Sequence, residues 1–241
     1  MCRVGSRVWP MAKCFTTWTV LPHDPIEKHA ENLWSVSGTM PGGNQRRMSI
    51  ARRADGKLVI HNPIALDEPE MKELEAFGTP AFLIVPNAFH RMDSIIYKQR
   101  YPEISVLCPR AARKKVSQVV EVAGHLDELP KDESVDLFHL RGMKEREGAL
   151  RVRSKSGTGL VFNDTLLNLP RRGGLMGFML GPTGAAAVPR FTRLLMVKNG
   201  EELKEHLHEL ATAGLNHLLP GHGAVIQADA PAALSQALAR L

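Results

Sequence analysis

Leu215-Asn216-His217-Leu218-Leu219-Pro220-Gly221-His222-Gly223 is a short apolar run that stops at a turn carrying a histidine. Earlier in the chain, Leu160-Val161-Phe162-Asn163-Asp164-Thr165 is a second apolar run, and it stops at an acid. Two strands that end in this way place an imidazole and a carboxylate at strand ends, and both groups are ordinary ligands of a divalent metal.

Outward from these segments the chain alternates strand and helix patterns. Residues 32–37 and 47–52 read as strands, the second alternating Met48 and Ile50 with polar neighbours. Ala54-Asp55-Gly56 reads as a hairpin turn, because Asp-Gly accepts the positive φ such a turn requires. Residues 57–61 return as an apolar strand. A helix is predicted over 67–77, with Asp67 as its cap, Glu70 completing a capping box and Gly78 as its stop. Ala81-Phe82-Leu83-Ile84-Val85 is continuously apolar, as in strands buried on both faces, and ends at Pro86-Asn87. A helix over 93–101, a strand over 104–108 and a basic helix over 109–119 follow. That β-α-β-α cadence favours parallel strands. The second half reads as strands over 135–140, 148–153 and 160–162. A segment rich in Gly, Met and Pro over 170–189 then reads as a cap without regular structure. A helix over 201–212, a strand over 215–219 and a terminal helix over 230–241 complete the chain.

The 241 residues are 44% hydrophobic and 23% charged, which predicts one α/β domain with a single large core. That domain is assigned to residues 16–241, with 1–15 as a flexible extension and Met11 as a second start. Arg3, Arg7 and Lys13 interrupt the N-terminus, which lacks the apolar core of about 7–15 residues of a secretory signal. No run approaches the roughly 18–20 apolar residues that cross a bilayer, so no membrane partner is expected. Cys2, Cys14 and Cys108 lack paired zinc-site spacing, and a cytoplasmic, reducing compartment is expected. The net charge of +6 is spread over clusters such as Arg46-Arg47, Arg52-Arg53 and Arg171-Arg172. With two tyrosines and three tryptophans to stack bases, these read as solvated faces, and nucleic acid is not the expected partner.

From Leu33 to His222 the order of segments resembles the metallo-β-lactamase fold superfamily. More narrowly it resembles a branch with degenerate metal-binding motifs, marked by His61-Asn62-Pro63-Ile64-Ala65-Leu66 and Val85-Pro86-Asn87-Ala88-Phe89-His90. The resemblance implies an α/β fold, a four-layer αββα sandwich. It also implies a Thr-His-x-His-x-Asp-His loop after the strand at 81–85, whose side chains converge on one or two zinc ions. Laid on this sequence without a gap, those ligand positions fall on Asn87, Phe89, Arg91 and Met92. A slip of one residue puts His90 on the second histidine and Asp93 on the last position. The next ligand histidine follows a glycine in the superfamily; here the pair is Gly142-Met143, a soft thioether poorly suited to zinc. Asp164 and His222 match the acid and the last histidine.

The resemblance thus implies a remnant cleft whose candidate residues are Asn87, Phe89, His90, Arg91, Met143, Asp164 and His222. Asn87, Met143, Asp164 and His222 are predicted to meet at one edge of the two sheets. Candidate metal ligands are Asp164, His222, His90 and Asp93. Too few ligands are retained for a zinc site of three or four donors, so no cofactor is expected; zinc or another divalent metal is the alternative. Substoichiometric zinc and no lactamase-type activity are predicted. Each residue also has a plainer role. His90 can hydrogen-bond its loop, Asp93 can cap the following helix, and His222 can pair with Asp164. Phe89, Met92 and Met143 are expected to line an apolar pocket in which Arg91 holds an anionic group. Three functions compete: a protein binding a small molecule or partner in the remnant cleft, a hydrolase with a reduced mononuclear site of Asp164, His222 and His90, and a nucleic-acid-associated protein.

Overall fold

Alternation along the strands sends neighbouring side chains to opposite faces, and the computed structural model shows what each face meets. It describes residues 14–41, 43–239 and 241. The first sheet runs β1 (Glu27–Ala30), β2 (Leu33–Thr39), β3 (Gln45–Arg52), β4 (Lys57–His61), β5 (Thr79–Ile84), β6 (Ser105–Cys108) and β7 (Gly124–His125), in that spatial order. Its pairings are antiparallel from β1 to β4 and parallel from β4 to β7. The second sheet holds β8 (Val135–His139), β9 (Gly148–Ser154), β10 (Gly157–Val161) and β11 (Leu215–Leu219), ordered β11-β10-β9-β8. Only β10 and β11 pair in parallel there.

Val59, Ile84 and Leu107 from the first sheet pack between the sheets against Leu150, Val161 and Leu219 from the second. Their sequence neighbours Leu58, Ile60, Leu83 and Val106 face the other way. They meet Met71 and Leu74 of α1 (Glu68–Phe77), Ile96 and Tyr97 of α2 (Ser94–Arg100) and Val116 of α3 (Arg113–Val116). Two further short helices, α4 (Gly174–Leu180) and α5 (Arg190–Met196), lie between the strands of the second half. On the far side, Ala149, Leu160 and Leu218 meet Leu203 and Leu207 of α6 (Gly200–Leu210) and Leu234 of α7 (Ala230–Leu238). Three apolar interfaces between four layers give the predicted αββα sandwich. Each aliphatic side chain fully buried in them contributes about 1.5–3 kcal/mol.

Several local expectations change. Asp67 makes no side-chain cap bond, and Glu70 turns to His23 at 3.4 Å instead of closing a capping box. Asp93 likewise caps nothing at the start of α2. The basic helix is shorter than its pattern, a 3-10 turn over Arg110–Ala112 that runs into α3. The segment over 170–189 contains the regular helix α4. Phe15 packs against the first core and its N–H donates to the Met92 carbonyl at 2.9 Å, so it is part of the fold; residues 1–13 of the expected extension, Met11 included, lie outside the described residues.

Topology brings four strand ends together. Parallel pairing sets His61 of β4 beside Ile84 of β5, and Val161 of β10 beside Leu219 of β11. The loops leaving these strands carry Asn62, the segment 85–93, Asp164 and His222. Antiparallel pairing adds strand beginnings at the same edge. Leu150 of β9 lies opposite Val161 of β10, so carrying that register onward sets Glu147 opposite Asp164.

Candidate metal centre

Each loop end is held by a buried polar group. Glu147, fully buried, accepts the N–H groups of Asn163, Asp164 and Thr165 at 3.1, 2.9 and 2.8 Å. Consecutive amides wrapped around one carboxylate form a nest that fixes the bend after β10. Asn87 Oδ1 accepts from the N–H groups of Phe89 and His90 at 2.9 and 3.3 Å, an Asx turn that curls the loop after β5. The turn at His222 is riveted to β3. The Arg47 guanidinium donates to the carbonyls of Pro220 and Gly223 at 3.2 and 2.8 Å, and to Ser35 Oγ at 3.0 Å. Gly221 is required there, because a Cβ would stand 2.7 Å from Asn163 Oδ1. Gly223 adopts φ +92° with the Asn168 carbonyl against it, a conformation open to glycine at little cost.

These supports bring three donors to one point. His90 Nε2 lies 3.4 Å from Asp164 Oδ2, and His222 Nε2 lies 3.3 Å from Asp164 Oδ1. The three side chains are 9%, 15% and 8% exposed for His90, His222 and Asp164. Asn87 Nδ2 also donates to Asp164 Oδ2 at 2.7 Å.

The outer ring nitrogens fix the tautomers. His222 Nδ1 sits 2.5 Å from the Gln45 carbonyl, which can only accept, so Nδ1 carries the proton. His90 Nδ1 sits 3.2 Å from Asn62 Oδ1. The Asn62 amide cannot be flipped, because its Nδ2 donates to the Arg47 carbonyl at 2.8 Å; His90 Nδ1 therefore carries a proton too. In the neutral rings both Nε2 lone pairs face a carboxylate. Such a facing is repulsive until a proton or a cation stands between the groups. Donors about 2.0–2.1 Å from a tetrahedral zinc stand about 3.3 Å apart; each imidazole lies near that distance from one oxygen of Asp164, and the three donors lie within 4.8 Å of one another. Nδ1–H bound to a carbonyl is also the usual outer partner of a metal-ligating histidine. The donor set fits one divalent ion with three protein ligands.

Burial lowers the pKa of His90, against the pull of Asp164. For His222 burial also pulls downward, but the Asp164 carboxylate, helped by the Gln45 carbonyl and Glu147, offsets it and the pKa is raised. Burial would raise Asp164, yet the two imidazoles hold it well below the usual carboxylate range. Glu147 is pushed up to about 7 by burial and then by the charge of Asp164.

Of the sequence-predicted residues, Asn87, His90, Asp164 and His222 converge. Asp93 does not. Its buried carboxylate forms an ion pair with Arg46, whose other amino group donates to the Pro63 carbonyl at 2.9 Å. Met143 is packed with Leu140, Met196 and Leu203 beneath the second sheet. Phe89 is exposed under Lys115, Met92 is buried, and Arg91 donates to the Lys115 carbonyl at 2.6 Å. The predicted apolar pocket with Arg91 at its wall is therefore not formed. Sequence reasoning missed Glu147, Gln45, Arg47 and the role of Asn62. Glu147 closes the charged run Lys144-Glu145-Arg146-Glu147, which reads as solvated; only the β9–β10 register gives it away.

A cleft of about 820 Å³ opens beside His222, lined by Asp24, Glu27, Ser37, Gln45, Asn168 and Gly223 among others. Its wall is mixed: Arg47 stands with Asp24 and Glu27, and Leu169, Pro170 and Val225 add apolar surface. Among the described residues one further group has metal-ligand spacing, His23 with Asp67 and Glu70. No helix among the described residues is long and apolar enough to cross a membrane.

Neither a protein-family model nor a curated protein matches the sequence. Among solved structures, the DIM-1 metallo-β-lactamase exposed to ceftazidime is similar with a TM-score of 0.61 at 13% identity, over 92% of this chain and 99% of that one. A metallo-β-lactamase from Hirschia baltica is similar with a TM-score of 0.54 at 11% identity, over 89% of this chain and 98% of that one. With two facing sheets flanked by helices and their strand ends meeting at one edge, the chain has the metallo-β-lactamase fold.

Proposed function

We propose that His90, Asp164 and His222 hold one divalent metal ion, and that the chain is a mononuclear metal-dependent hydrolase of a small polar substrate. The observation that carries this reading is the tautomer lock. Both Nδ1 protons are committed outward, so two lone pairs and a carboxylate converge on one point. Three protein ligands leave a fourth position open, the pattern of catalytic rather than structural zinc sites. Lewis-acid polarisation of a scissile carbonyl or phosphoryl group is the chemistry such an ion supplies.

The chain's own residues do the positioning. Glu147 holds the backbone of Asp164, Asn87 orients the Asp164 carboxylate, and Gln45 and Asn62 hold the two imidazoles. Ser37, Gln45 and Asn168 offer hydrogen bonds along the cleft, where the charges of Asp24 and Glu27 are met by Arg47. Laid on the sequence without a gap, the superfamily's loop positions fall on Asn87, Phe89, Arg91 and Met92, none a normal zinc ligand, which favours one ion over two.

A second reading, a remnant without metal, is favoured by the Asn87 amide on Asp164 and by the raised pKa of His222. In it a proton on Nε2 takes the place of the ion. Elemental analysis of protein purified without chelators, followed by calorimetric titration with zinc, separates the two. We expect about one ion per chain, lost in His222→Ala and Asp164→Ala. Zinc that binds no better than to those variants would leave the remnant reading standing.

A further inference from the structure

The segment from Thr165 to Gly200 contains five basic residues, Arg171, Arg172, Arg190, Arg193 and Lys198, and no acidic residue. The whole chain carries a net charge of +6, so this stretch differs sharply in charge balance from the rest. Most of the exposed large apolar side chains lie in the same stretch. Leu175, Phe178 and Met179 on α4 are 79%, 58% and 36% exposed, and Leu194 and Leu195 on α5 are 74% and 47% exposed.

Helical spacing makes a patch of them. Leu175, Phe178 and Met179 stand three and four positions apart, so they share one face of α4. Arg190 of α5 places its guanidinium 4.6 Å from the Phe178 ring and donates to the Phe178 carbonyl at 2.9 Å. One turn further along α5 is Leu194, on the same face as Arg190. The two helices thus present projecting apolar side chains among cations.

We propose that this patch docks the protein on an anionic lipid surface. A stretch free of acidic groups meets negative headgroups without repulsion, while the projecting leucines and Phe178 enter the boundary between headgroups and acyl chains. This is how peripheral helices hold to membranes without crossing them. A second copy of the chain suits the patch less well. A two-fold interface would set the same surface against itself, and with it two groups of five cations. The absence of a spanning helix concerns crossing alone and leaves this mode open. The proposal stands apart from the metal reading, since it uses none of the donor residues.

Vesicle flotation tests it on the full chain. Phosphatidylcholine vesicles and vesicles containing about 30% phosphatidylserine would be compared at low and physiological salt. We expect binding only with phosphatidylserine, weakening as salt rises. Binding should fall about tenfold or more in Arg171→Glu/Arg172→Glu, because each basic residue near an anionic leaflet contributes about fivefold. A comparable fall is expected in Phe178→Ser/Leu194→Ser, with thermal melting as the check of folding. Should that pair fail to fold, Leu175→Ser alone is the substitute, its side chain being the more exposed. No phosphatidylserine-dependent binding in the parent chain would overturn the proposal. So would binding that survives loss of the apolar side chains, or a concentration-dependent dimer that those substitutions abolish, which would assign the patch to a second copy.

Discussion

Two groups of side chains in this protein offer a metal the same nominal ligands, and their surroundings could hardly differ more. His90, Asp164 and His222 converge from three loop ends, while His23, Asp67 and Glu70 meet where α1 begins. Both groups bring their donor atoms within 4.8 Å of one another. Both also contain a histidine whose Nδ1 faces a backbone carbonyl, since His23 lies 3.1 Å from that of Asp24. What separates them is the carboxylates. Asp164 is held by Asn87, its backbone by Glu147, and it is buried. Asp67 is exposed and makes no cap bond, and Glu70 is a helix side chain with 22% of its surface open. Proximity of donors is common on protein surfaces; fixation of donors by a second layer of hydrogen bonds is what turns proximity into a site.

The largest expected effect concerns acid. Burial holds the pKa of His61 down to about 3 and that of His29 down to about 4, whereas both titrate near 6.5 in the unfolded chain. Because the folded values are depressed, the stability these rings contribute is complete above about pH 6.5. It is lost as pH falls toward 4 and then 3, where the unfolded chain takes up the protons first. With about 1.4 kcal/mol for each pKa unit, the loss by pH 4 is on the order of several kcal/mol. Urea midpoints from pH 7.5 to 4 would show it, and a flat profile would contradict the burial of these two rings. Next comes the buried ion pair beneath the first cluster. Arg46→Ala leaves the buried Asp93 without its cation and should cost about 3–5 kcal/mol in unfolding free energy. Its exposed counterpart near the second cluster, Lys28 with Glu73 at 2.7 Å, should lose about 1 kcal/mol or less in Lys28→Ala.

Smaller than the Arg46 effect, but more telling for the comparison, is Asn62→Leu. It removes the acceptor behind His90 together with the Nδ2 bond to the Arg47 carbonyl, and should weaken zinc binding about 10–100-fold, read by competition with a chromogenic chelator beside a thermal melt that checks folding. The smallest effect belongs to the second cluster. His23→Ala should leave zinc stoichiometry and affinity unchanged, and a clear loss of bound zinc there would reverse the ranking of the two groups.

The fold was largely legible because apolar runs and turns are local signals. The strand over 81–85 and the two strand ends at Asp164 and His222 each carried their own mark, and the segment order did the rest. The edge strand β1, with sequence Glu27-Lys28-His29-Ala30, had no apolar pattern to reveal it. The site was only half legible. Asp164 and His222 follow the strands that their apolar runs mark, whereas His90 required a slip in the loop. Asp93 misled because an acid before a helix reads equally as a cap or a ligand, and its true partner, Arg46, is distant in sequence. Arg91, read as an anion holder, is tied to α3 through the Lys115 carbonyl for the same reason: a long side chain can reach elements that sequence spacing does not bring to mind.

The rivet at Arg47 has a consequence that can be followed amide by amide. Its own N–H donates to the Gly221 carbonyl at 2.7 Å while its side chain grips Pro220 and Gly223. The N–H of Asn168 is in turn bound to the His222 carbonyl at 3.2 Å. The turn cannot loosen without freeing both protons to solvent. Hydrogen exchange at these two backbone positions should therefore slow and quicken together, as members of one opening unit. Their common rate would report how often the His222 ring leaves its place.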